Sequence, residues 1–128
     1  VGHLLDWDRL HFLGQVPYES YQQIIQISSC HIYLTMPFVL SWSMLEAMSA
    51  GCAIVASDVE PVREIAEHDE AALMLTALSP AAIAQNVIDV LSAPMRRKKQ
   101  GEAARRVIEK HYSVGSIFDQ KISLLKSV

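Results

Sequence analysis

The stretch PFVLSWSMLEAMSAGCAIVASD, residues 37–58, decides the fold of this chain. A polar turn opens a short helix predicted at residues 43–49, Gly51 ends that helix, and an apolar strand follows at residues 53–56. Free backbone N–H groups at a helix N-terminus attract anions, and Glu46, one turn into the helix, can accept hydrogen bonds from sugar hydroxyls. Parallel α/β domains present ligands in this way, so the stretch predicts a site for a nucleotide or a nucleotide sugar.

On both sides of this stretch, apolar runs of strand length alternate with patterns of helix length. That alternation is typical of βαβ units, and it predicts an α/β fold of Rossmann-like type, a parallel sheet with helices on both faces. The predicted strands are residues 11–13, 31–34, 53–56 and 72–75, and the predicted helices between them are residues 17–28, 43–49 and 62–66.

The C-terminal end is predicted to be helical. Ser79 caps a helix that has Pro80 at its first position. Three- and four-residue spacing predicts a buried stripe on that helix, consisting of Ile83, Val87, Val90 and Leu91. A second helix is predicted from residue 94 to about 111, and Ser113 caps a third whose shared face is Phe118, Ile122 and Leu125.

Composition excludes several classes of protein. A chain of 128 residues with 51% hydrophobic residues fits a single globular domain. The net charge of -3 gives no overall attraction to nucleic acid, and the basic run at residues 96–99 has no interleaved aromatic residues, which favours a solvated helix face. No apolar stretch approaches the about 18 residues of a membrane span, and no signal peptide is recognisable, so we expect a cytoplasmic protein.

Cysteine and histidine give no sign of a metal site or a disulfide framework. Cys30 and Cys52 lie beside apolar strands and are predicted to be small buried hydrophobes, with a disulfide or a reactive thiol as the less favoured alternative. The five histidines show no HxxxH or HExxH spacing, so no metal ligand set is predicted.

From about Leu10 to Leu91 the sequence resembles the C-terminal, donor-binding domain of retaining GT-B fold glycosyltransferases. This is the group that includes glycogen synthase, sucrose synthase and bacterial mannosyltransferases, known as glycosyl transferases group 1. HFLGQVPYESY at residues 11–21 is similar to the group's FxGxV segment, and HIYLTMPF at residues 31–38 to the strand before its donor loop. SMLEAMSAGCAIVASD at residues 43–58 resembles its LEAMAxGxPVVAS core, and residues 61–75 resemble its PExIxDGxNGLLV segment.

The resemblance implies which residues contact the donor. Glu46 matches the glutamate that binds the nucleotide ribose, and Val16 with Pro17 matches a loop beneath the base. The glutamate that usually contacts the sugar stands eight positions earlier, where this chain has Phe38, and a phenyl ring cannot accept a hydrogen bond. The candidate nucleotide-sugar-binding residues are Glu46, Ser41, Trp42, Ser43, Leu45, Phe38, Val16 and Pro17.

Structural alternatives exist for several of these residues. Ser43 and Glu46 have the S-x-x-E spacing of a capping box, which explains both without a ligand. Ser41 either contacts a diphosphate or satisfies a turn, and packing is favoured over sugar stacking for Trp42.

The implied activity is transfer of a sugar from a UDP- or GDP-sugar to an acceptor, with retention of anomeric configuration and without a metal or other cofactor. The chain then corresponds to a single partial domain, residues 1–128. The acceptor-binding N-terminal domain and the first part of the donor domain lie outside it, and the chain alone is expected to be inactive. The alternative is a regulatory or non-catalytic nucleotide-binding module of the same fold, which the Phe38 substitution favours. An epimerase or phosphatase-like domain lacks a recognisable nucleophile or general base here.

The implied sheet order, 3-2-1-4-5-6, places two strands from outside this chain between the strand at residues 11–13 and the strand at residues 31–34. We therefore expect either that residues 11–13 pair directly with that strand or that the open edge is closed by homodimerisation, with the C-terminal helix as a candidate for exchange.

Overall fold

The computed structural model describes residues 5–36, 40–69 and 72–126 of the chain. Within these residues, three parallel strands and their connecting helices are followed by a helical C-terminal end, so the predicted α/β class is confirmed. The elements in chain order are a 3-10 helix at Trp7–Arg9, α1 (Tyr18–Ile27), β1 (His31–Tyr33), α2 (Trp42–Ser49), β2 (Ile54–Ser57), α3 (Glu60–Ala66), β3 (Met74–Thr76), α4 (Pro80–Ser92), α5 (Pro94–Val107), a π-helical turn at Ile108–Tyr112, and α6 (Val114–Lys126).

The sheet has the order β1-β2-β3, with β2 in the centre. All four residues of β2 are buried, because a strand lies on each side and helices cover both faces. Successive side chains of a strand point to opposite faces. Accordingly, Ile54 and Ala56 pack in a core shared with α2, α3 and α5, while Val55 packs in a smaller core with Val90 of α4. The predicted parallel sheet with helices on both faces is confirmed.

A close backbone contact joins α5 to the turn after α2. Gly51 has φ +77, a left-handed conformation that glycine adopts without steric cost, and it returns the chain from α2 toward β2. Gly101 of α5 lies against this turn, and a Cβ placed on it would stand 2.9 Å from the carbonyl carbon of Gly51. Only a residue without a side chain lets α5 approach this closely.

The predicted strand at residues 11–13 is wrong. These residues form no strand, and Phe12 is 83% exposed. A short apolar run forms a strand only where a neighbouring strand can pair with its backbone hydrogen-bonding groups. Among the described residues, the outer edge of β1 is not paired with residues 11–13 or any other strand. The expectation that residues 11–13 would pair with β1 is therefore wrong as well.

Most helix boundaries agree with the sequence patterns. The Ser79 hydroxyl accepts a hydrogen bond from the Ala82 amide at 3.2 Å, which confirms the predicted cap of α4. The stripe on α4 is narrower than predicted, since Leu91 is 42% exposed. The helix predicted to continue to residue 111 is α-helical only to Val107, and the apolar face predicted on α6 leaves Phe118 largely exposed.

Candidate functional site

The carboxyl ends of β1 and β2 are tied together at one edge of the sheet. The buried Ser57 hydroxyl, at the end of β2, accepts a hydrogen bond from the Thr35 amide and donates one to the Thr35 carbonyl, both at 3.0 Å. Thr35 lies two residues beyond β1. A single side chain thus holds the first part of the connection from β1 to α2, where the sequence predicts the donor site.

The start of α2 is fixed by Tyr33 and Ser41. The Ser41 amide donates to the hydroxyl of the buried Tyr33 at 3.0 Å, and the Ser41 hydroxyl accepts from the Ser43 amide at 3.3 Å. Ser41 is therefore the N-cap, and the predicted capping box of Ser43 with Glu46 is wrong. Because the helix begins at Trp42, Ser43 lies within the first turn, and the N3 position of a capping box is Met44, not Glu46.

Glu46 is half-buried on the side of α2 that faces α1. The Tyr18 hydroxyl donates a hydrogen bond to Glu46 Oε1 at 2.8 Å. This bond with the Glu46 carboxylate, together with some burial, raises the pKa of Tyr18 above its usual value. Burial raises the pKa of Tyr21 as well, and the neighbouring carboxylate adds to that rise. Because a phenol with the ordinary pKa of about 10 is already protonated at neutral pH, both tyrosines are available as hydrogen-bond donors there.

An open groove of about 380 Å³ lies beside Glu46, between α1 and α2 and reaching α5. Its polar lining includes Tyr18, Tyr21, Gln22, Glu46, Ser49 and Arg105. The Arg105 guanidinium is paired with Glu109 at 2.8 Å on the same helical face. The groove thus offers both hydrogen-bond donors and hydrogen-bond acceptors, which suit a ligand with several hydroxyl groups.

The other predicted site residues occupy different surroundings. Trp42 is 80% exposed and does not pack against the core, contrary to the favoured packing interpretation. Leu45 packs against the main core. Val16 is half-buried, and the carbonyl of Pro17 accepts from the Tyr21 amide at 3.0 Å at the start of α1. Phe38 lies outside the described residues.

The structure therefore brings Ser41 and Ser43 together, with hydroxyls 3.1 Å apart, and places Glu46 one turn further on. Three further residues line the groove that the sequence patterns do not predict as site residues, namely Tyr18, Tyr21 and Arg105. A signal for the tyrosines does exist, since residues three apart share a helix face and Pro17 marks the start of α1. No comparable local pattern identifies Arg105, which reaches the groove from a helix far along the chain.

Residues 94–112 carry seven Lys or Arg against two Glu, residues 58–70 carry six Asp or Glu against one Arg, and the two segments meet on the surface. Arg106 of α5 lies 3.7 Å from Asp69, which joins the basic segment to the acidic one. Arg96, Lys98 and Lys99 are exposed, so the predicted solvated face is confirmed.

Cys30 and Cys52 are both free, as predicted. Burial raises the pKa of the Cys52 thiol to about 11, so this thiol is inert at neutral pH.

The described residues contain no group of three or more His, Cys, Asp or Glu side chains arranged to hold a metal ion. In the same part of the chain, no helix is both long and apolar enough to cross a membrane.

Three comparisons relate this chain to known proteins. Residues 2–107 match the family described as glycosyl transferases group 1. An uncharacterized glycosyltransferase of Methanocaldococcus jannaschii is 30% identical over 105 residues, which cover 81% of this chain and 27% of that protein. The solved structure of sucrose-phosphate synthase from Thermosynechococcus elongatus superposes with a TM-score of 0.76 at 22% identity, over 94% of this chain and 30% of that one.

The chain spans less than a third of the length of either protein. The structural similarity shows that the sheet and its helices share the fold of a part of sucrose-phosphate synthase. The family match covers residues 2–107, far more than half of the sequence, and it includes every residue of the edge described above. On these grounds, the chain belongs to the glycosyl transferases group 1 family.

Proposed function

We propose that this chain is the donor-binding part of a longer glycosyltransferase, which moves a sugar from a UDP- or GDP-sugar to an acceptor with retention of anomeric configuration. Membership of the family supports sugar transfer. The structural observation that carries the donor-binding role is the position of Glu46. Its carboxylate stands one turn into α2, the helix that follows the carboxyl end of β1, and it lies beside an open polar groove.

In this proposal Glu46 accepts hydrogen bonds from the ribose hydroxyls and so fixes the nucleotide. The bond between the anomeric carbon and the diphosphate oxygen breaks while a bond to an acceptor hydroxyl oxygen forms on the same face of the sugar, and the hydroxyl proton passes to the departing diphosphate. Negative charge then accumulates on the departing diphosphate. The N-terminus of α2, with the hydroxyls of Ser41 and Ser43, lies where it can stabilise that charge without a metal ion.

The remaining parts of the reaction belong to other segments of the longer protein. We expect an upstream domain to bind the acceptor and to close over the donor, because orientation of two substrates requires groups on both sides of the reacting carbon. The 128-residue chain alone is accordingly expected to transfer no sugar.

Substitution of Glu46 tests the proposal. In the full-length protein encoded by the gene that contains this sequence, Glu46→Gln is expected to weaken binding of the donor nucleotide by about 1 to 3 kcal/mol, the cost of losing a charged hydrogen-bond acceptor. Calorimetry with UDP and GDP measures this. Glu102→Gln, an exposed carboxylate on α5, is the matched control. Unchanged affinity together with a lower melting temperature contradicts the proposal and assigns Glu46 a structural role.

A non-catalytic nucleotide-binding module is the second candidate, and the phenylalanine at position 38 favours it. A radiolabelled transfer assay separates the two candidates. Nucleotide binding without transfer by the full-length protein, over a panel of donors and acceptors, supports the non-catalytic module.

A further inference from the structure

The hydrogen bond between Tyr18 and Glu46 joins residues 28 positions apart and links α1 to α2. A glutamate on a helix has three rotatable side-chain bonds and samples several rotamers unless a partner restrains it. The short O–H···O distance of 2.8 Å to Oε1 provides that restraint.

Tyr18 is itself firmly placed. Pro17 precedes it at the N-cap of α1 with φ -56, and the Pro17 carbonyl accepts from the Tyr21 amide at 3.0 Å, which closes the first helical turn. Further along α1, the buried Ile25 anchors the helix in the main core. Tyr18 is 59% exposed and contributes little to the core, so its place beside Glu46 is set by the start of α1.

A carboxylate has two oxygens with about four acceptor positions, so one bond from a phenol leaves capacity for two more hydroxyl donors. We propose that Tyr18 is a positioning residue for Glu46, which holds the carboxylate in the rotamer that accepts the 2′- and 3′-hydroxyls of the bound ribose. This inference rests on the proposed function, because it concerns how the nucleotide site is organised. The bond to Glu46 raises the pKa of Tyr18, in keeping with a phenol that donates to the carboxylate.

The experiment compares Tyr18→Phe with the unmodified full-length protein in calorimetry with UDP, GDP and their 2′,3′-dideoxy forms. Phenylalanine keeps the ring and removes only the donor. Tyr112→Phe is the matched control, because its hydroxyl lies 3.4 Å from His68 and outside the groove. We expect Tyr18→Phe to weaken binding of the ribonucleotide by about 3- to 10-fold and to leave the dideoxy nucleotide unaffected. In a Glu46→Ala background, Tyr18→Phe should have no further effect.

Each other outcome has a definite meaning. If the unmodified protein binds neither UDP nor GDP, the proposed function fails and this inference fails with it. If the protein binds a nucleotide but Tyr18→Phe weakens ribose and dideoxy forms equally, the ring acts by packing, and the positioning role alone is overturned. Tighter binding by Tyr18→Phe also overturns it, because Tyr18 would then compete with the ribose for Glu46.

Discussion

Gly101 shows how one absent side chain sets the distance between two elements. Glycine in a helix interior is about 1 kcal/mol less favourable than alanine, so helix propensity alone disfavours it in α5. Its place there is explained by the Gly51 turn, whose backbone occupies the space that a Cβ would need. Packing of α5 onto the turn between α2 and β2 therefore outweighs local propensity at this residue.

Gly101→Ala is expected to destabilise the chain by about 1 to 3 kcal/mol, because the steric conflict with Gly51 exceeds the gain in helix propensity. Urea unfolding followed by circular dichroism measures the change. Gly115→Ala in α6 is the control, since nothing lies within 4 Å of its added Cβ and it should be neutral or slightly stabilising. A Gly101→Ala chain as stable as the parent would contradict the close-contact interpretation.

The buried His31 ring is expected to make the stability of the fold depend on pH. Its Nε2 atom is buried and has no hydrogen-bond partner among the described residues, and burial lowers the pKa of the ring below its usual value. The unfolded chain, with an ordinary histidine pKa of about 6.5, therefore takes up a proton first as the pH falls. Stability contributed by the neutral ring is present above about pH 6.5 and is lost as the pH drops below it.

His31→Gln should flatten this acid-induced loss of stability. Urea midpoints between about pH 7.5 and pH 5 measure the slope for both chains. Some slope should remain, because burial and the charges of His68 and Lys110 lower the pKa of His111 and act in the same direction. An identical slope in His31→Gln and the parent would show that His31 does not titrate as described.

At the scale of elements, the connection from β1 to α2 is held at both ends by side chains of the sheet. Ser57 of β2 holds Thr35, and Tyr33 of β1 holds the amide of Ser41. Beyond the end of β1, backbone groups of the connection can no longer bond to a neighbouring strand. The two hydroxyls act as their hydrogen-bond partners instead. They place the start of α2, and with it Glu46, relative to the sheet.

Ser57→Ala is expected to cost about 1 to 3 kcal/mol of stability, because the Thr35 amide and carbonyl lose their partner. Hydrogen exchange at the Thr35 amide should quicken more than exchange within β2, which locates the effect. Ser92→Ala, at an exposed position of α4, serves as the control and should be near neutral. Equal protection of Thr35 in both variants would show that the Ser57 hydroxyl does not hold this connection.

The elements also show what sequence patterns can and cannot predict. The run at residues 53–56 identified the buried central strand, because an unbroken apolar segment between turn signals has few other uses in a parallel fold. Residues 11–13 also form a short apolar run, but they could form a strand only beside a neighbouring strand. The local sequence does not show whether such a neighbour exists. The sequence pattern places the N-cap of α2 at Ser43, whereas the structure has it at Ser41, because serine suits the N-cap at either position. The contact of Tyr18 with Glu46 depends on how α1 packs beside α2, so it became visible only in the structure.

At the scale of the whole molecule, the sheet ends at β1 on one side. Among the described residues β1 pairs only with β2, and Ile32 is 46% exposed. An exposed, partly apolar edge is a template for pairing with another chain. In the proposed longer protein, strands from outside these residues would cover that edge. The predicted homodimer of the isolated chain follows from the same argument.

The 128-residue chain is therefore expected to self-associate, with a mass about twice the 14.3 kDa of the monomer in light scattering. The His31 amide donates inward to Ala53, and amides alternate in direction along a strand, so the Ile32 amide points outward to the open edge. Ile32→Pro removes that outward donor without breaking the bonds to β2, and it should return the chain to a monomer. Ile88→Lys, which removes an exposed apolar residue of α4, should leave the dimer intact and so controls for general surface hydrophobicity. A parent chain that stays monomeric from about 1 μM to about 1 mM would show that the edge of β1 does not pair with a second copy.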